Sequence, residues 1–200
     1  GKMSTRKGRV IFLEDVLQRS IDLAEKIIKE KNPKLKNKKK VAEMVGVGAI
    51  IFADLSNERV RNIDFDWDRM LSFEGETAPY IQYTHARACS ILRKAKKEHN
   101  LSVSTKVNFE TFNLVEEQKI MNLLYNFSDA IVRSANSYKP HHIANYLIAL
   151  AQAFNEFYHK CPVISELEHQ MHARLLLVSC VKQVLENGLR LLGIEAPEEM

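Results

Sequence analysis

The chain has 200 residues, 29 of them Lys or Arg against 25 Asp or Glu, which leaves a formal net charge of +4, and 46% of its side chains are hydrophobic. That is room for one large globular domain, or one domain with an appended piece. Seven Gly and five Pro argue against a loop-rich or repetitive fold, and no run of about 18 apolar residues offers a membrane span.

Gly1 to Arg9 is polar, with two glycines, and reads as a loop. No apolar stretch follows its basic residues, so it is not a signal peptide, and the absence of Met at position 1 suggests a piece of a longer chain. From Leu13 the apolar residues recur as Leu13, Val16/Leu17, Ile21, Ala24 and Ile27/Ile28, a helical spacing that stops near Pro33. Five lysines between Lys34 and Lys40 read as a solvated linker, with phosphate contact as the other reading. A second helix spans Lys38 to Leu55, where Gly46 and Gly48 are tolerable if another backbone approaches closely. Ile63 and Phe65 alternate with Asn62, Asp64 and Asp66, allowing at most a short strand.

Thr77 to Lys97 reads as a helix with Pro79 in its first turn. Leu114, Ile120/Met121, Leu124, Phe127 and Ile131 form one stripe. Another starts at Pro140 with Ile143, Leu147, Leu150, Phe154 and Phe157, and a last one runs from Glu166 to Leu192 before Gly193 and Pro197. The expected fold is therefore all-α: an antiparallel helical bundle, preceded by connecting helices with at most a short strand.

Site chemistry is sparse. Cys89, Cys161 and Cys180 lack paired spacing and read as reduced, buried small hydrophobes. The carboxylates Asp54, Asp64, Asp66, Asp68, Glu74 and Glu76 read as solvent-facing, with Asp64 and Asp66 flanking the strand and Trp67, Met70 and Phe73 packing between domains. The histidines do not complete a zinc set, so no metal is expected. Arg133, Lys139, His141 and Lys160 read as surface charge, although each is placed where it could touch phosphate.

Four stretches together resemble the arginyl-tRNA synthetases: Lys2-Met3-Ser4-Thr5-Arg6, like the K-M-S-K-S loop of class I synthetases; Asp64-Phe65-Asp66-Trp67-Asp68-Arg69-Met70-Leu71; Pro79-Tyr80-Ile81-Gln82-Tyr83-Thr84-His85-Ala86-Arg87; and Asn187-Gly188-Leu189-Arg190-Leu191-Leu192-Gly193-Ile194 with Pro197 and Met200. The resemblance covers essentially the whole chain. It implies the end of the catalytic domain over 1–74 and a DALR-type anticodon-binding bundle over 75–200. The full enzyme would activate arginine with ATP, Mg being the ATP counter-ion, and esterify it to tRNA(Arg). It would be a cytoplasmic monomer without a membrane partner. The chain contains no H-I-G-H or P-loop motif, so the nucleotide-binding sheet is expected upstream, and the chain alone is expected to be inactive and to bind no cofactor.

By the same resemblance, Lys2, Ser4, Arg6 and Lys7 form the loop that closes on the ATP phosphates, where pyrophosphate departs with growing negative charge. Thr5 and Arg6 stand where the family pattern has its second lysine and last serine, so Arg6 or Lys7 is the expected substitute cation. Tyr80 and Tyr83 share a helical face. With Arg87, Tyr158 and Met200 they match anticodon-contacting positions of the family, where splayed bases stack on aromatic side chains. The tail from Glu195 to Met200 is expected to run extended and dock near the tyrosines. The pattern alone also allows a non-catalytic helical module for protein interaction, with no role for RNA.

Overall fold

The computed structural model describes residues 12–58, 60, 65–164 and 168–200, and every regular element among them is helical. The loop bearing Lys2, Ser4, Arg6 and Lys7, together with Ile63 and Asp64 of the expected strand, lies outside the described residues. Phe65 is described and belongs to no strand; its ring instead meets Trp67 edge-on at 4.7 Å between centroids. Asp66 is a helix cap rather than a strand flank. It accepts the Arg69 N–H at 3.1 Å and so starts the single turn α3 (Trp67–Met70).

Helices α1 (Leu13–Lys31) and α2 (Lys38–Leu55) pack as a hairpin around Ala24, Ile28, Val41, Ala42, Val45 and Ala49. A Cβ at Gly46 would lie 2.7 Å from the Ile21 backbone, so the two helices approach to a distance only glycine permits. At Gly48 the close neighbours are instead the side chains of Ile194 and Gln82. The lysine run is not a free linker. Lys38 to Lys40 open α2, and the turn before them is pinned by buried Leu35, whose carbonyl accepts from Lys38 Nζ at 2.8 Å.

The second and larger core joins Phe52 of α2 to α4 (Ala78–His99), α5 (Val115–Tyr125), α6 (Phe127–Ser137), α7 (His141–Lys160) and α8 (Glu168–Leu191). Thr77 starts α4: its hydroxyl oxygen accepts the Tyr80 N–H and donates to the Ser72 carbonyl. Apolar α7 packs against α2, α4, α5, α6 and α8, burying Leu147, Leu150, Phe154 and Phe157 completely. The single stripe expected from Leu114 to Ile131 is broken between α5 and α6. Asn126 turns its side chain back onto the Asn122 carbonyl at 2.7 Å, competing with the backbone ladder there.

Glu117 of α5 and Arg174 of α8 form a buried ion pair at 2.7 Å. Arg174 also donates to the Pro162 carbonyl, and Glu117 accepts the Leu114 N–H. Among the described residues, no helix is long and apolar enough to cross a membrane.

Candidate nucleic-acid interface

Tyr83 and Arg87 lie one turn apart on α4, and Tyr158 stands near the end of neighbouring α7. The Arg87 guanidinium carbon is 4.9 Å from the Tyr83 ring centroid and 5.0 Å from that of Tyr158. The cation is thus held between two aromatic faces, which its charge favours. The rings remain accessible, with Tyr83 39% and Tyr158 41% exposed. Phe73 meets Tyr83 edge-on at 6.3 Å.

Tyr80 departs from the expectation of an exposed ring. It is half-buried against the main core, because its position on α4 faces α7. Its hydroxyl accepts from Asn155 Nδ2 at 2.9 Å. The same Nδ2 donates to Thr84 Oγ1 at 3.0 Å, and Asn155 Oδ1 accepts from Arg87 Nη1. Asn155 therefore holds the guanidinium in place, although the sequence reading did not single it out. The available signal was its spacing: Asn155 and Tyr158 are three residues apart on one helix and share a face.

Helix α8 ends in a Schellman motif, with Gly193 at a φ of 75° and the Ile194 N–H returning to the Leu189 carbonyl at 2.9 Å. The tail then crosses α4. Gln82 Nε2 donates to the Glu195 carbonyl at 2.7 Å and to the Met44 carbonyl at 3.1 Å, tying the tail to α2 as well. His85 Nδ1–H donates to the Pro197 carbonyl at 2.9 Å. Arg93 pairs with Glu199, and Asn32 Nδ2 donates to the Met200 carbonyl at 2.9 Å. Met200 is thereby delivered beside the tyrosines.

Burial lowers the His85 pKa, working against the Pro197 bond, so the ring is neutral and carries its proton on Nδ1. Burial likewise pushes the Cys89 thiol beside it up to about 11.

Two clefts flank this ladder. One, of about 730 Å³, is lined by Phe73, Tyr80, Tyr83, Arg87, Asn155 and Met200 among others. The other, of about 630 Å³, has Lys34, Lys36, Tyr83, Arg87, Tyr158 and Met200 in its walls. Both lie in the size range of small-ligand sites. A further cleft of about 790 Å³, beside Asp68, Glu76 and Asn145, lies away from the ladder. Lys139 and Lys160 do not join the ladder: Lys139 pairs with Glu58 at 2.6 Å, and Lys160 with Glu116 and Glu156. Aromatic faces, a fixed guanidinium and a thioether around two open clefts suit flat, unstacked bases.

The family described as DALR anticodon binding domain matches residues 81–200, and that described as tRNA synthetases class I (R), catalytic domain, matches residues 1–67. The chain is 45% identical over 200 residues to an arginine–tRNA ligase of Clostridioides difficile, covering 100% of the chain and 35% of that protein. It is 50% identical over 199 residues to arginine–tRNA ligase 1 of Bacillus cereus, covering 100% of the chain and 34% of that protein. Among solved structures, Thermus thermophilus arginyl-tRNA synthetase superposes with a TM-score of 0.88 at 36% identity, over 96% of this chain and 32% of that one. Plasmodium falciparum arginyl-tRNA synthetase gives a TM-score of 0.81 at 25% identity, over 96% and 34%. The chain spans about a third of the length of the curated relatives it matches.

Proposed function

We propose, since this chain belongs to the family of DALR anticodon-binding domains, that it is the tRNA-binding part of an arginine–tRNA ligase. Residues 75–200 grip the anticodon stem-loop of tRNA(Arg), and residues 1–74 close the catalytic domain. The observation that carries this reading is the Tyr83–Arg87–Tyr158 ladder with Met200 docked beside it. Bases splayed from the loop stack on the two exposed rings and on the thioether, while half-buried Tyr80 lines the adjoining cleft and positions Asn155.

In the full-length ligase, a cytoplasmic monomer, ATP and arginine bind on the catalytic domain. The cations Lys2, Arg6 and Lys7, with the Ser4 hydroxyl, meet the triphosphate as pyrophosphate leaves. No residue of the bundle takes part in that chemistry. The test is Tyr158→Ala in the full-length enzyme. Loss of one stacking partner should weaken tRNA(Arg) binding by about 1–3 kcal/mol while ATP–pyrophosphate exchange with arginine continues unchanged. Undiminished tRNA affinity would refute the stacking role.

A further inference from the structure

We propose that the turn between α1 and α2 is a phosphate-binding rim, in which Lys34 and Lys36 hold the sugar-phosphate backbone of the RNA loop whose bases meet the tyrosine ladder; this rests on the RNA-binding reading above. Both lysines line the same cleft as Tyr83, Arg87, Tyr158 and Met200. The charged side chains lining that cleft are Lys34, Lys36, Arg87, Arg93 and Glu199, four cations against one carboxylate. Glu199 is already paired with Arg93, and Arg87 is engaged by Asn155 and the two rings. Lys34 and Lys36 are exposed, and neither forms an ion pair with another described residue. The cleft therefore holds two uncommitted ammonium groups together with two exposed tyrosine rings. That is the pairing a single-stranded nucleotide needs, since its base is apolar-faced and its phosphate is anionic.

The turn is built to hold these charges rather than to join two helices loosely. Leu35, between the lysines, is only 6% exposed and packs into the α1–α2 core, so its neighbours on either side are turned outward. The Leu35 N–H returns to the Asn32 carbonyl at 3.2 Å, and the Leu35 carbonyl accepts Lys38 Nζ. Asn32 in turn ties the turn to Met200 through a 2.9 Å bond. Backbone order is present before any ligand arrives, so binding need restrain only the lysine side chains. Phosphate contacts of this kind position the partner without reading its sequence.

The experiment is a fluorescence titration of the full-length enzyme with tRNA(Arg), and with its isolated anticodon stem-loop, over a series of salt concentrations. The proteins compared are wild type, Lys34→Ala/Lys36→Ala, Lys34→Arg/Lys36→Arg and Tyr158→Ala. The double alanine variant should bind roughly tenfold more weakly at low salt. Its slope of log affinity against log salt should be shallower by about 1.4–1.8, two contacts at 0.7–0.9 each. The loss should be the same for a stem-loop with altered loop bases, and the arginine variant should retain the wild-type slope. An unchanged slope in the double alanine variant, with Tyr158→Ala still weakening binding, overturns this inference and leaves the anticodon reading standing. A loss that depends on the loop bases also overturns it, since that is base readout. If neither Tyr158→Ala nor the double variant affects binding, the anticodon reading fails and takes this inference with it.

Discussion

Asn155→Ala removes the group that holds the aromatic–cation ladder together. Three hydrogen bonds are lost: one from the Arg87 guanidinium, one to the Tyr80 hydroxyl at 2.9 Å and one to Thr84 Oγ1 at 3.0 Å. A bond to a charged group contributes about 1.5–3 kcal/mol and a neutral one about 0.5–1.5, so the lower ends sum to roughly 2.5. Asn155 is half-buried and opens on a cleft, so water replaces part of what is lost, leaving a stability cost of about 1–2 kcal/mol. That corresponds to a melting temperature lower by about 3–6 °C for a domain of this size.

The functional effect should be of similar size. Without its anchor, Arg87 no longer rests between Tyr83 and Tyr158, and tRNA affinity should fall on the order of tenfold, or about 1.4 kcal/mol. Asn155→Asp keeps the acceptor facing Arg87 and should bind tRNA nearly as well as wild type, despite losing both donated bonds. Scanning calorimetry and filter binding of both variants would separate anchoring from folding. Wild-type affinity in Asn155→Ala would refute the argument, as would an equal loss in both variants.

Arg174→Met should destabilise the chain by about 3–5 kcal/mol, because it strands the Glu117 carboxylate in the core with only the Leu114 N–H as partner. Glu117→Leu/Arg174→Met should recover most of that loss, as urea unfolding would show; a tolerant single variant would mean the pair is hydrated. His85 makes stability pH-dependent. Its folded pKa is lowered, so the unfolded chain takes up a proton first, as pH falls through about 6.5. The His85 contribution is complete above that pH and declines below it until the folded ring also titrates. His85→Gln should flatten the stability curve between about pH 7 and pH 5, and a curve identical to wild type would show that His85 does not carry the dependence.

Periodicity was enough to expect the long helices, because apolar spacing along one helix is a local property. Pro79, Gly193 and the Ile143 to Phe157 stripe mark boundaries and buried faces that the fold keeps. Two local signals were overridden. Asn126 splits an unbroken stripe because its amide competes for a backbone carbonyl, and the lysine run becomes a fixed turn because Leu35 is drawn into the core. The family likeness lay in short motifs and was legible in the chain. How those motifs act on one another was not. Arg87 meets Asn155 across 68 positions, His85 meets Pro197 across 112, and Asn32 meets Met200 across 168. Such contacts exist only because the close-packed faces of α1, α2, α4, α7 and α8 bring distant segments together, and packing is a property of pairs of surfaces that no single helix records. The sequence by itself determined which side chains could stack, bind phosphate or cap a helix; the tertiary structure decided that Tyr83 and Tyr158 share a cation, that Tyr80 turns inward, and that the tail reaches them.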